Sequence, residues 1–330
     1  MNGNGNIPAA LKDHLTQAKN LAANRLLRPN YFANVVGVGI GKKVVAGDAT
    51  PTYSVRVYVI SKLELGVLSP ATAVPSSFLG VPTDIIEVGR FGRAGRTPNL
   101  ANGAQTPRPG SPISVQTNAP NVNRGFFGTL GAVVQTGDGA GDSKYILSCN
   151  HVMAVNGRVP DGAKIVLSEF VGNQQQLADP DQFVRLTSDG TNAVDCALAK
   201  LTSSSPASLT SPANTLRSVG VPALDMQVEK VGAGTGSTKG TIVDVDVDLY
   251  VDYSFGTFRF ENQVMIDSGS DGTDFATVGD SGSLIVDTGT GQAVAMIFAG
   301  SGRFAVACPL QAVLQQLAAK AGVPKLEVAI

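Results

Sequence analysis

At 330 residues and 43% hydrophobic, the chain can bury a full core, which excludes a disordered or fibrous protein, and its size suggests about two domains. A formal charge of -1 without any run of like charges excludes the basic footprint that nucleic-acid binding needs. No apolar run approaches the ~18 residues of a spanning helix, so no membrane partner is expected.

Gly is abundant (38 residues), Trp is absent and aromatic residues make up 6%, a mix that favours short strands joined by tight turns. Met1 to Ile7 are polar and rich in Gly and Asn, without the basic and apolar regions of a secretory signal. Cys149, Cys196 and Cys308 are odd in number and widely spaced, so they describe no disulfide framework and read as small buried hydrophobes. Both features favour a reduced, cytoplasmic location.

In chain order, Pro8 to Arg28 reads as an amphipathic helix with Leu11, Leu15, Ala18, Ala22 and Leu26 at helical spacing, stopped by Pro29. Strand-like segments follow at Asn34–Ile40, Tyr53–Ile60 and Asp84–Val88. In the middle one, Val55, Val57 and Val59 alternate with Ser54, Arg56 and Tyr58. Residues 1–92 therefore form a small α+β domain. Residues 93–124, rich in Pro, Gly and Asn, hold no hydrophobic period and read as a linker or a loosely held strap. From Gly125 onward apolar strands alternate with Gly, Asp, Asn or Ser turns, the pattern of an all-β barrel or sandwich. A last helix over 309–321 carries Leu310, Val313, Leu314 and Leu317 on one stripe.

Three segments carry chemistry. In VGDSGSLI, glycines flank Ser281 and let the N–H groups of Gly279 and Ser281 point at one spot, as an oxyanion requires. His151 lies in YILSCNHVMA, where an apolar strand ends in a short loop, and Asp195 lies in AVDCALAKL, directly ahead of another strand. Taken singly they are a core histidine, a strand-capping aspartate and a turn serine. Taken together, their order along the chain, His, Asp, Ser, is that of the chymotrypsin arrangement and of neither the subtilisin-like nor the α/β-hydrolase one.

LSCNHVMA, DCALAKL and VGDSGSLI resemble the histidine, aspartate and serine motifs of bacterial trypsin-like serine proteases, over roughly residues 110–320. GTLGAVV resembles the strand before the histidine motif, and VEKVGAGTGSTKGTI a hairpin of the second barrel. The resemblance implies a mainly β, chymotrypsin-like double β-barrel, with barrels at about 125–222 and 226–308. It also implies a catalytic triad of His151, Asp195 and Ser281 and an oxyanion hole at Gly279 and Ser281. A protein or peptide substrate follows, cleaved as by an endopeptidase, with no cofactor and no metal. Val152 stands where animal enzymes have a cysteine, and Ser283 where a glycine is common. The pocket for the substrate side chain is expected at Phe275, Ile297, Phe298 and Gly300, favouring an apolar or small residue before the cleaved bond.

NVVGVGIGKK through GVPTDIIEVG resembles a leader domain found ahead of some bacterial trypsin-like proteins. It could chaperone folding, cover the cleft, or receive an activating partner, with Arg93, Arg96, Arg108 and Arg124 as processing points. The competing reading is a pseudo-protease whose barrels serve as a binding scaffold; an esterase fits this fold less well. Other signals favour plain structure. Gly232–Gly240 departs from a phosphate loop, since Lys239 follows Thr238, and reads as a turn. Asp244, Asp246 and Asp248 share a strand face and read as a solvated edge. Asp267–Asp274 lacks the terminal Glu of a calcium loop, and His14 reads as a surface residue.

Overall fold

The structure, a computed structural model, describes residues 7–28, 33–64, 72–92, 106–117, 127–137, 143–168, 175–210, 218–269 and 273–329. The N-terminal part holds α1 (Ala9–Leu26), β1 (Val35–Val45), β2 (Asp48–Val59), β3 (Ser77–Phe78) and β4 (Val81–Glu87). Next come β5 (Pro112–Gln116), β6 (Phe127–Thr129), β7 (Ala132–Thr136), β8 (Lys144–Ser148), the one-turn helix α2 (Asn150–Met153), β9 (Lys164–Leu167), β10 (Gln176–Phe183), β11 (Thr191–Asn192), β12 (Ala197–Lys200) and α3 (Ala207–Thr210). The remainder comprises β13 (Ser218–Val219), β14 (Gln227–Gly232), β15 (Gly236–Tyr253), β16 (Gly256–Asp267), β17 (Leu284–Asp287), β18 (Gln292–Ser301), β19 (Phe304–Pro309), α4 (Leu310–Ala321) and β20 (Leu326–Val328). Among the described residues, no helix is long and apolar enough to cross a membrane.

The fold is mainly β, with two curled sheets, as expected. One sheet follows the order β20-β7-β8-β12-β10-β9-β5-β6. In the other, β16-β19-β18-β17-β14-β15 run side by side, and β15 pairs back onto β16, which closes these strands into a ring. A ring leaves no unpaired edge, the usual reason that short apolar strands close on themselves. Phe275, Ile285 and Ile297 fill its interior with other buried apolar residues. Part of the stretch expected as a linker is sheet: β5 pairs with both β6 and β9, and Pro112, at its first position, is where a strand tolerates proline. Arg108 is exposed, while Arg93, Arg96 and Arg124 lie outside the described residues.

The N-terminal strands continue the second sheet, in the order β15-β1-β2-β4-β3. β1 hydrogen-bonds along β15 from Gly37 opposite Leu249 to Gly41 opposite Asp244. β2 is covered on both faces. Val55, Val57 and Val59 pack with Leu15, Ala18, Ala22 and Leu26 of α1, whereas Tyr58 turns into the main core. Leu11, expected on the α1 stripe, stands 43% exposed, and Lys19 takes a buried place.

That burial corrects the reading of the three aspartates as a solvated edge. Asp244 and Asp248 are buried, because the N-terminal part lies over them. Lys19 Nζ pairs with Asp246 Oδ1 and Asp248 Oδ1, each at 3.0 Å. Asp244 accepts a hydrogen bond from the Tyr58 hydroxyl and faces Arg56 Nε at 3.3 Å. Burial pushes the Asp244 carboxyl up to about 6, against the pull of the Arg56 guanidinium.

Two outcomes follow from this charged seam. Lys19→Met leaves Asp248 buried without its main cation, and is expected to cost about 3–5 kcal/mol in urea unfolding. A carboxyl whose folded value exceeds its unfolded one holds its proton more tightly when folded, so the folded state loses stability as pH rises from about 4 through about 6. Unfolding free energies measured across that range are expected to show this downward component in the wild type and to lose it in Asp244→Asn.

Candidate active site

His151 sits in α2, straight after the strand β8. The turn is held from outside: Asn150 Nδ2 donates to Val184 O (2.7 Å), and Asn150 Oδ1 accepts from the Asn156 N–H (2.9 Å). β12 pairs with β8, placing Ala197 opposite Ser148. That register brings the residue two before β12, Asp195, to the residue three after Ser148, His151.

The Asp195 carboxylate is fully buried and receives three donors. The His151 backbone N–H reaches Oδ1 at 3.1 Å, His151 Nδ1 reaches Oδ2 at 2.5 Å, and the Tyr253 hydroxyl reaches Oδ2 at 2.7 Å. Burial drives the carboxyl up, yet the His151 ring and these donors hold it below its ordinary value. An ionised carboxylate only accepts, so in the neutral ring the proton of His151 stays on Nδ1 and the lone pair is on Nε2.

Ser281 lies on the loop between β16 and β17, and its neighbour Asp280 anchors that loop. Asp280 accepts from the N–H groups of Thr277 (2.8 Å), Gly234 (2.9 Å) and Thr235 (3.2 Å) and pairs with Lys230 Nζ at 3.1 Å. Gly234 and Thr235 belong to the Gly-rich segment, which is the expected turn between β14 and β15. Burial lowers the Lys230 ammonium's pKa while Asp280 pulls it back up. Gly279 adopts φ +101°, a conformation that favours glycine. Among the described residues, the N–H groups of Gly279 and Ser281 donate to no backbone carbonyl.

The first sheet meets this loop directly. Thr129 N–H donates to Ser281 O (2.8 Å), and Thr129 Oγ1 donates to Gly279 O (2.6 Å). Between the two sits Gly128, where an added Cβ would lie 2.6 Å from both Ser281 O and a Val152 methyl. Only a residue without a side chain lets Ser281 come this near the residue after His151. The structure thus joins His151 to Asp195 and sets Ser281 on the facing loop, half-buried, with no hydrogen bond from its Oγ to His151.

The residues expected to wall a side-chain pocket do not form an open one. Phe275 and Ile297 point into the barrel interior, Phe298 packs against Phe260 with ring centroids 4.6 Å apart, and Gly300 is buried. Cys149 Sγ, a His151 ring nitrogen and an Asp195 oxygen lie within 4.8 Å of one another, which is a metal-like spacing. Burial pushes the Cys149 thiol up, and its S–H donates to Ile297 O at 3.2 Å, whereas a ligand would be a thiolate. The cluster is already satisfied as it stands. All three cysteines are free and buried, as expected.

Tyr253 is the site residue that sequence reasoning missed. It ends β15, its ring lies 5.2 Å from the His151 ring between centroids, and it stacks on Phe255 at the same spacing. A donor to a buried carboxylate contributes about 1.5–3 kcal/mol. If Ser281 is the nucleophile, Tyr253→Phe is expected to slow its reaction with a fluorophosphonate by about tenfold or more while a thermal melt shows the fold retained.

No protein-family model matches the chain, and no curated protein matches it. Among solved structures it is similar to Thermobifida fusca protease A, at 17% identity and a TM-score of 0.40 over 67% of this chain and 97% of that one. It is similar to a Nocardiopsis protease at 16% identity and a TM-score of 0.44, over 68% and 98% of the two chains. Cellulomonas bogoriensis chymotrypsin shows 16% identity and a TM-score of 0.40, over 67% and 97%.

Proposed function

We propose that the chain is a serine endopeptidase acting on a protein or peptide substrate through His151, Asp195 and Ser281. The observation that carries this reading is the buried His151–Asp195 pair, with Nδ1 committed to the carboxylate at 2.5 Å and Ser281 on the loop opposite. Such a pair leaves Nε2 as the base. Ser281 Oγ attacks the scissile carbonyl carbon as its proton passes to His151 Nε2. The oxyanion gathers at the N–H groups of Gly279 and Ser281, which have no other backbone partner among the described residues. The proton then moves from His151 to the leaving amine, and water repeats the sequence on the acyl-enzyme.

A second reading, a scaffold without turnover, draws on two observations: Ser281 Oγ makes no hydrogen bond to His151, and Phe275, Ile297 and Phe298 are buried. The first separates the readings poorly, because such bonds are often loose before substrate binds.

Labelling with a fluorophosphonate probe separates the two. The endopeptidase reading expects wild-type protein to label and both Ser281→Ala and His151→Ala to fail, with peptide turnover falling about 10⁴-fold or more in each. Folded wild-type protein that never labels would overturn the endopeptidase reading for the chain as it stands and favour the scaffold.

A further inference from the structure

The edge of β18 that runs away from Ser281 is already occupied by the chain itself. β18 pairs with β19 along one edge. On its other edge Ile297 is taken by the Ser281 loop: Gly282 N–H donates to Ile297 O (2.8 Å), and Ile297 N–H donates to Ser283 O (3.0 Å). Farther along, Gly300 forms an antiparallel bridge with Gly92, whose N–H reaches Gly300 O at 3.3 Å while Gly300 N–H reaches Gly92 O at 3.4 Å. Only Phe298 and Ala299 separate these two pairings, and the span from Ile297 to Gly300 is about 10 Å of strand.

Phe91 is the anchor of this strap. It is 1% exposed, its ring meets Tyr58 edge-on at 6.3 Å, and its carbonyl accepts from Asp252 N–H at 3.0 Å. Upstream, the Val88 carbonyl accepts from the Ser301 hydroxyl. Gly92 itself bridges Gly300 on one side and Asp252 on the other, its bonds to Gly300 being longer than the one that Phe91 accepts from Asp252.

An extended polypeptide docks most readily by adding its backbone to an open sheet edge. Resting on the endopeptidase reading, we infer that Phe91–Gly92 act as a built-in competitor for the substrate backbone on β18. A peptide running antiparallel to β18 from Ser281 reaches Phe298 first, since Ala299 is already paired with Val306 of β19. It meets Gly92 at Gly300. The resting site therefore takes substrates by a short stretch before the cleaved bond, and longer ones gain nothing until Gly92 yields.

The test uses alanyl peptide phosphonates with one to four residues before the phosphorus, alongside an alkyl fluorophosphonate that needs no strand pairing. Gly92→Val is the informative variant, because a Cβ there would already lie 3.0 Å from the Asp252 carbonyl oxygen, and the added branches crowd Gly92's place between Asp252 and Gly300 and weaken its pairing. In the wild type, the rate is expected to rise up to two residues and then level or fall. In Gly92→Val the longer probes should react about tenfold faster than on the wild type, as two recovered backbone hydrogen bonds allow, with fluorophosphonate labelling equal in both. Should Gly92→Val fail to fold, Gly92→Ala supplies the same comparison with a single methyl. A wild type that gains from the third and fourth residues as much as the variant overturns the inference and leaves the endopeptidase reading intact. Folded wild type that no fluorophosphonate labels overturns both.

Discussion

A carboxylate sealed away from water survives as an anion only if the protein replaces the lost solvent with donors, and Asp195 has three of them. Much else in the site is arranged around that requirement. The short helix α2 turns both an N–H and a ring nitrogen of the same residue toward one carboxylate. The register of β8 against β12 brings the two chain segments together. The third donor comes from the other sheet, so the charge is stable only when both halves of the molecule are in place. This arrangement fixes the tautomer of the neutral His151 ring, with its proton on Nδ1 and its lone pair on Nε2.

The long strand β15 ties that charge to the N-terminal part. At one end it forms the turn whose amides hold Asp280; in the middle it pairs with β1; at the other end it supplies Tyr253. Residues 7–92 therefore do not hang from the barrels as a separate body, since their strands prolong the same sheet. The buried charges Lys19, Arg56, Asp244 and Asp248 make that junction costly to open, because separating it would strand ions in a low-dielectric seam.

How much of this could be read from the residues in order depends on distance along the chain. The mainly β architecture was legible, since apolar alternation and turn residues are local. The meeting of His151 with Asp195, 44 residues apart, was legible only through chain order and the resemblance of the segments around them to known histidine and aspartate motifs. Tyr253 was not, for its partner lies 58 residues away and nothing in VDLYVDY marks a hydroxyl that will find a carboxylate. Alternation put Asp244, Asp246 and Asp248 on one side of a strand, but irregular register in β15 sets Asp248 opposite Val38 on the α1 side and Asp244 opposite Gly41 on the other, beside Tyr58 and Arg56. The same blindness applied to Phe275 and Ile297: position relative to a motif does not reveal whether a side chain faces a cleft or the barrel interior. β5 was hidden by its prolines, which an edge position tolerates.

The pairing of Lys230 with Asp280 has a consequence for how such a protein could be controlled. Both side chains are fully buried, and the cation is drawn from the same barrel as the anion it serves. The Ser281 loop is thus assembled by residues present from the moment the barrel closes, and needs no newly exposed amino group to neutralise Asp280. On the endopeptidase reading, control then falls to the entrance, to what lies along the strand beside the loop.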